Sequence, residues 1–370
     1  MAGGAAAGAS VWISTAPSSF LRVARPLSEL TTLRLGGPPR RLVEAATEDE
    51  LVAAVRACDA DSEPLLLLAG GSNLVVADEG FAGTVVRILT RGVGERALEG
   101  GVVRVEVQAG EGWDPLVGAW VERGLTGVEC LAGIPGSVGA TPIQNVGAYG
   151  QEIADTLVSV RALDRRTDSI DELGPEDCGF TYRSSAFKRQ PGRWVVLAVS
   201  YALEPSEMSR PIRYGELARS LGVEPGASAP LADVRTAVLE LRRGKGMVLD
   251  PSDLDSVSAG SFFTNPILTA DEYERLREAG GDATPPAWAE EDGHVKTSAA
   301  WLIERAGFSR GHGDPAGIAI SSKHTLALTN RGAGTTSDLL ALAREIAAGV
   351  RERFGVELVP EPTLVGIDWP

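Results

Sequence analysis

The segment from Gly124 to Gly150, GLTGVECLAGIPGSVGATPIQNVGAYG, constrains this chain more than any other stretch. Glycine recurs at 124, 127, 133, 136, 139, 147 and 150, yet Leu131, Ile134, Val138, Ile143, Val146 and Tyr149 thread between them. A flexible linker reads as glycine and serine without apolar anchors. Glycines spaced among apolar residues instead imply backbone folded tightly around something else, where side chains would obstruct.

At 370 residues the chain is long enough for two or three domains. Its 44% hydrophobic and 23% charged residues are ordinary for a globular protein with a sizeable core. The opening MAGGAAAGASVWISTAPSSF lacks the positive region and apolar run of a signal peptide, and reads as a disordered leader. Nowhere do about eighteen apolar residues run together, so no transmembrane helix is expected. Cys58, Cys130 and Cys178 are odd in number and lack ligand spacing. They fit unpaired thiols in a reducing cytoplasm, with no metal site. A net charge of −15 disfavours nucleic acid as a partner. An anionic ligand would require Lys and Arg to be concentrated locally against that field.

The pattern is mixed α and β without repeats. Thr47 to Glu50 reads as a capping box before a short helix carrying Leu51, Val52 and Val55. LLLLAGGSNLVVAD (65–78) reads as strand, tight turn, strand. Residues 102–107 alternate as a strand, and Asp114-Pro115 opens a helix that Gly124 closes. Further strands are expected at 157–163 and 194–203. Residues 204–215 read as a linker or mobile loop before a helix over 231–243. Beyond it, helices are expected near 270–279, 298–306 and 336–354, with strands at 316–320 and 325–329. Three α/β regions in series do not make one doubly wound sheet.

Taken alone, Gly70-Gly71-Ser72-Asn73 reads as a plain hairpin turn. Backbone N–H groups in such a turn can also form a nest for a phosphate. With the second glycine-rich segment, two such turns suit a ligand with an extended pyrophosphate. Neither a G-x-G-x-x-G fingerprint opening a helix nor a P-loop is present.

Four blocks then occur in order: GGSNLVVADEGFAGTVV, the 124–150 segment continuing to Ile153, FTYRSSAFK (180–188) and AGSFFTNPI (259–267). Together they resemble the UDP-N-acetylenolpyruvoylglucosamine reductase (MurB) family of peptidoglycan-precursor flavoenzymes, type I, from about Leu30 to Gly366. The resemblance implies an α+β fold: a two-subdomain FAD-binding region of the vanillyl-alcohol-oxidase (PCMH) type, then an α/β substrate domain. It implies a leader over 1–27, FAD-binding subdomains over 28–95 and 96–205, and a substrate domain over 206–370. The last strand of that domain would return Glu361 to the active site.

The resemblance further implies non-covalent FAD, NADPH as co-substrate and a small UDP-sugar as substrate, in a cytoplasmic monomer without membrane or nucleic-acid partners. All three histidines, His294, His312 and His324, lie outside the flavin-binding blocks, in keeping with non-covalent attachment. Gly70, Gly71, Ser72, Asn73 and Leu74 would meet the cofactor, as would Gly136, Ser137, Gly139, Asn145 and Gly147. Arg183, Ser261 and Glu361 match the catalytic positions. Arg183 and Glu361 would steady an enolate, and Ser261 would protonate it at carbon. Lys245 matches a lysine at the substrate phosphate, Asn265 a substrate-contacting asparagine, and Tyr214 the tyrosine of a closing loop. His324 stands where some relatives carry a substrate-contacting glutamine, and Thr264 where some carry lysine. Two other classes compete: a flavin oxidoreductase for a different substrate, and a non-enzymatic binding paralogue. The GSFFTNP block with Glu361 opposes the first, and the retained trio Arg183, Ser261 and Glu361 the second.

Overall fold

The computed structural model describes residues 25–369 apart from Glu291. Most of the expected leader lies outside the described residues. Its last residue departs from that expectation: Leu27 is fully buried among Leu68, Leu74, Val76, Val85 and Val365.

The capping box forms as expected. The Thr47 hydroxyl accepts from the Glu50 N–H at 3.2 Å, and the Glu50 carboxylate accepts from the Thr47 N–H at 3.2 Å. Helix Glu48–Ala60 follows, burying Leu51, Val52, Val55 and Cys58. It connects strands Pro39–Ala45 and Leu65–Leu68, which flank Phe81–Ile88 in a three-stranded parallel sheet. Successive side chains on a strand face opposite ways, so Val85 packs with Leu27 while Val86 joins the core on the other side.

Strands Leu65–Leu68 and Leu74–Val76 both exist, but they do not pair with each other. The first pairs with Phe81–Ile88 and the second with Thr363–Val365, in parallel. Gly70–Asn73 is therefore no hairpin turn. It carries the chain from one sheet to another.

The second layer is antiparallel, in the order Ser169–Leu173, Leu157–Asp164, Trp194–Pro205, Val103–Gln108, Val93–Ala97. Strand Val93–Ala97 belongs to it, so the expected limit at 95/96 cuts a strand. Helix Trp113–Glu122 starts two residues earlier than the Asp-Pro signal suggests, with Gly112 as N-cap. Asp114 is not the cap; its carboxylate instead accepts from the Gly133 N–H at 2.5 Å. Trp113, Trp120 and Tyr201 pack edge-to-face or tilted, with centroids 5.7–6.1 Å apart.

The segment after Pro205 is not a loose linker. Ser209 N–H donates to Ala229 O and Ile212 N–H to Ala227 O, each at 2.8 Å, and Arg210 N–H donates to the buried Glu129 carboxylate at 3.1 Å. Helix Leu231–Gly244 turns Leu231, Val234 and Val238 into the core of the second layer. The expected division at 205/206 thus falls inside one packed unit, because that apolar face shares its core with Trp113, Trp120 and Tyr201.

A separate core begins after it. Strands Ser258–Ser261, Ala327–Asn330 and Ile318–Ile320 form an antiparallel sheet. Helices Ala270–Ala279, Ala299–Arg305 and Thr336–Phe354 pack in this core through Leu276, Leu302, Leu339, Ile346 and Val350. Among the described residues no helix is long and apolar enough to cross a membrane. Several contacts fasten this unit to the first, two of them at one edge. Thr363–Val365 lies beside Leu74–Val76, and Asp78 accepts from the Thr336 and Ser337 N–H groups at 2.7 and 2.8 Å.

Burial pushes the Asp78 carboxyl up, but the bonds from Ser337 and Thr336 outweigh it, and its pKa lies below the ordinary value. A depressed folded-state pKa stabilises above the ordinary carboxylate range, and that stability is lost as pH falls through the folded-state value. Asp78→Ala should therefore cost about 1 kcal/mol at neutral pH. The deficit should shrink in acid. Urea titrations at pH 7 and pH 3 check this, and an equal deficit at both would refute it.

Candidate active site

The two glycine-rich segments meet. A Cβ on Gly70 would lie 2.7 Å from the Gly136 Cα, so only glycine lets the two backbones pass this closely. The Ser72 hydroxyl bridges the same gap, donating to Pro135 O at 3.0 Å. Gly71, at φ +58°, faces Leu30 O, where a Cβ would come within 2.1 Å. Gly139 closes against Ala109 in the same way. Leu74 is buried at the start of its strand, and Gly147 opens a short pairing with Glu152. Beside the turn a cleft of about 400 Å³ runs past Leu30, Thr32, Ala69, Gly70 and Pro251.

This arrangement fits a bound dinucleotide on two counts. The turn between sheets brings backbone to a cleft edge, and two buried acceptors nearby, Ser137 Oγ and Gln108 Oε1, have no hydrogen-bond partner. Buried polar atoms without partners are rare in native proteins. Asn145 behaves differently from a flavin contact made by a free side chain. At φ +44° it donates to Glu152 at 2.6 Å and accepts from the Ala154 N–H at 3.1 Å, so its amide shapes the loop.

Arg183 and Glu361 come together although 178 positions apart, Arg183 Nε lying 3.4 Å from Glu361 Oε1. This is ion-pair range without hydrogen-bond geometry, and the buried Nε–H is left unsatisfied. Arg183 occupies the tight turn Thr181–Ser184 at φ +52°, a left-handed conformation that disfavours side chains. Such strain concentrates at functional sites. Burial pushes the Glu361 carboxyl above its ordinary pKa, opposed by the charges of Arg183 and Lys188 and by a bond from Gln144. Ser261 ends the strand that precedes Phe262, and Phe262 O accepts the Glu361 N–H at 2.8 Å. Arg183 and Glu361 thus stand together, and the backbone beside Ser261 is bonded to that of Glu361.

The expected substrate residues spread along the neighbouring wall. Lys245 Nζ is paired with Glu216 at 2.6 Å and lies 5.7 Å from the Tyr149 ring. Tyr214, half exposed, meets the Tyr149 ring edge-on at 5.4 Å. Burial, then the Lys245 and Arg310 charges, brings His324 down to about 4, so at neutral pH it is an uncharged imidazole. Asn265 Oδ1 already accepts the Ala299 N–H at 3.0 Å, which leaves its Nδ2 donors to a ligand.

Several residues of the site carry no signal that marks them individually. Gln144 and Lys188 are bonded behind Glu361, where the expected turn residue Asn73 joins them. Arg242 is buried beside Tyr149, burial bringing it down to about 10. In sequence, Arg242 is one of several cations on a helix, and only packing distinguishes it. Arg183, Lys188, Arg242 and Lys245 make this region locally cationic in an acidic chain.

Comparisons with known proteins agree with this geometry. Residues 39–171 match the model of an FAD binding domain, and residues 250–365 match the C-terminal domain of UDP-N-acetylenolpyruvoylglucosamine reductase. Fold, cleft and matches together define an FAD-binding α+β oxidoreductase. The chain is 58% identical over 348 residues to UDP-N-acetylenolpyruvoylglucosamine reductase of Thermobifida fusca, covering 92% of this chain and 97% of that one. It is 57% identical over 350 residues to the enzyme of the same name in Streptomyces avermitilis, covering 93% and 94%. The crystal structure of MurB from Thermus caldophilus superposes with a TM-score of 0.61 at 26% identity, covering 92% of this chain and 97% of that one. The chain belongs to the UDP-N-acetylenolpyruvoylglucosamine reductase family.

Gly70→Ala drives a methyl into the Gly136 backbone and should cost about 1–3 kcal/mol through overpacking. FAD affinity should fall about tenfold or more, measured by fluorescence titration of the apoprotein. Unchanged affinity would show that the approach of the two turns does not serve the cofactor.

Proposed function

We propose that the protein reduces the enolpyruvyl ether of UDP-N-acetylglucosamine enolpyruvate to give UDP-N-acetylmuramate, a step of peptidoglycan precursor synthesis. FAD is held non-covalently, NADPH is the reductant, and the enzyme works as a cytoplasmic monomer. The observation that carries this reading is the convergence of Arg183 and Glu361 beside Ser261, next to the glycine turns. Gly70–Leu74 and Gly136–Gly139 would hold the pyrophosphate, with Asn145 and Gly147 shaping the wall along the ring system.

When bound, the flavin supplies a hydride from N5 to the outer vinyl carbon of the substrate. Negative charge then develops at the adjacent carbon and spreads into the carboxylate as an enolate. Arg183 meets it with a permanent charge in a planar fork, and its unsatisfied Nε–H provides a donor ready for the new charge. Preorganised donors act most strongly where charge develops during reaction. Glu361 completes that site beside the arginine. Ser261 gives its hydroxyl proton to carbon; a serine is a weak acid, but an enolate held against it is a strong base.

Lys245 would take a phosphate oxygen of the UDP-sugar as a point charge. Its partner Glu216 must then yield, since a carboxylate at 2.6 Å competes for the same ammonium. Tyr214 sits immediately before Glu216's helix, Gly215–Leu221, and would close over the diphosphate together with that movement. Asn265 Nδ2 and neutral His324 complete the contacts. A flavin oxidoreductase for another substrate is disfavoured by the match over 250–365, which lies outside the flavin-binding region.

Anaerobic NADPH should bleach the flavin, and the enolpyruvyl substrate should restore its colour. Persistent bleaching after substrate addition rules out the proposed reaction. Ser261→Ala should leave reduction by NADPH within about twofold while slowing reoxidation about a thousandfold. Stopped-flow absorbance resolves the two halves, and equal loss in both removes Ser261 from the proton-donor role.

A further inference from the structure

A line of hydrogen bonds behind Glu361 has a fixed direction. Gln144 Nε2 lies 3.2 Å from Glu361 Oε1. Gln144 Oε1 lies 3.1 Å from Asn73 Nδ2 and 3.5 Å from Lys188 Nζ. An ammonium group has donors only, so the Gln144 atom facing Lys188 is the oxygen. Asn73 leads to the same result: its Nδ2 also faces the backbone carbonyl of Glu361 at 3.4 Å, an acceptor only. Both ends therefore turn the Gln144 amide so that its hydrogens point at Glu361. Lys188 is itself pinned, donating to Arg183 O at 3.2 Å.

We propose that Gln144 is a positioning residue: held one way round by Asn73 and Lys188, it keeps Glu361 Oε1 an acceptor and confines the carboxyl proton to Oε2. This rests on the reading of Glu361 as the partner of Arg183 in enolate stabilisation. The chemical consequence is directional. Whenever Glu361 is protonated, its one donor hydrogen lies on the oxygen away from Gln144, available to an oxygen of the substrate. Whenever it is ionised, the Gln144 bond steadies the charge.

The groups facing this carboxyl are few. Arg183 and Lys188 favour its charged form, burial opposes it, and the Tyr182 phenol, whose ring Lys296 Nζ faces at 4.6 Å, lies within reach of its charge. Lys188, on the exposed side of the line, acts both through space and through the Gln144 oxygen. Removing the Gln144 donor should therefore raise the Glu361 pKa, and removing Lys188 should raise it too. The two changes share a path, so their effects should not add.

The test uses the FAD-loaded protein labelled with carboxyl-13C glutamate, with the Glu361 resonance assigned from Glu361→Gln. Gln144→Leu should move the Glu361 titration upward by about one pH unit. Reoxidation of reduced flavin by the enolpyruvyl substrate should slow about tenfold or more, with NADPH reduction within about twofold of wild type. Gln144→Glu, which keeps the side-chain volume, should shift the titration in the same direction and serves if the leucine variant does not fold. Lys188→Met should also shift it upward, and the double variant with Gln144→Leu by less than the sum. An unmoved titration in both Gln144 variants overturns the proposal, as does equal slowing of the two half-reactions. Failure of wild-type flavin to be reoxidised by the substrate would instead overturn the proposed reaction, while the titration would still test the role of Gln144.

Discussion

Everything at the active site depends on three residues of parallel strand pairing, Leu74–Val76 against Thr363–Val365. This ladder joins segments nearly 290 positions apart in sequence. It sets Glu361 two residues before its start and Asn73 one residue before the other strand. The Thr363 N–H donates to Asn73 O at 3.0 Å, and Asn73 Nδ2 reaches the Glu361 carbonyl. The Gly70–Asn73 turn and the carboxylate that faces Arg183 are thereby placed by one piece of backbone geometry. Thr336 reinforces it from the other side, its hydroxyl donating to Val76 O at 2.7 Å.

The second requirement is electrostatic. A chain of net charge −15 collects Arg183, Lys188, Arg242 and Lys245 in the region around Glu361 and Tyr149. Burying cations costs free energy unless each finds a counter-charge or a ligand. Lys245 finds Glu216, Arg183 stands near Glu361, and Arg242 spends one nitrogen on Met247 O at 2.8 Å while its Nε goes without. The unsatisfied donors on Arg183 and Arg242 are what an anionic substrate, under the proposed function, would be expected to meet. The left-handed backbone of Arg183 coincides with this place, the strained turn carrying the guanidinium that stands near Glu361.

Much of the fold is legible in the residues because its signals are local. The capping boxes at Thr47 and Thr269 each start a helix at its expected place, and the alternation Val103 to Gln108 makes a half-buried strand. The misplacements share a cause. Asp114 has the chemistry of an N-cap, but Gly133 competes for its carboxylate across the fold. Residues 206–214 have the composition of a loose loop, yet Glu129 and the Ala227–Ala229 backbone hold them. The two runs of 65–78 look like a hairpin because sequence shows neighbours and not partners. In each case a distant group decided what local preference left open.

The sequence by itself determined the helices, the strands and the chemistry available: glycines for close backbone approach, an arginine, a serine and a carboxylate in motifs of a reductase family. Tertiary structure alone decided that Gly70 meets Gly136, that the strand after Glu361 pairs with the strand after Asn73, and that Gln144 turns its amide toward the carboxylate. The physical reason is range. Capping, periodicity and turn preference act over a few residues, whereas sheet pairing and burial act between any segments that the folded chain brings into contact.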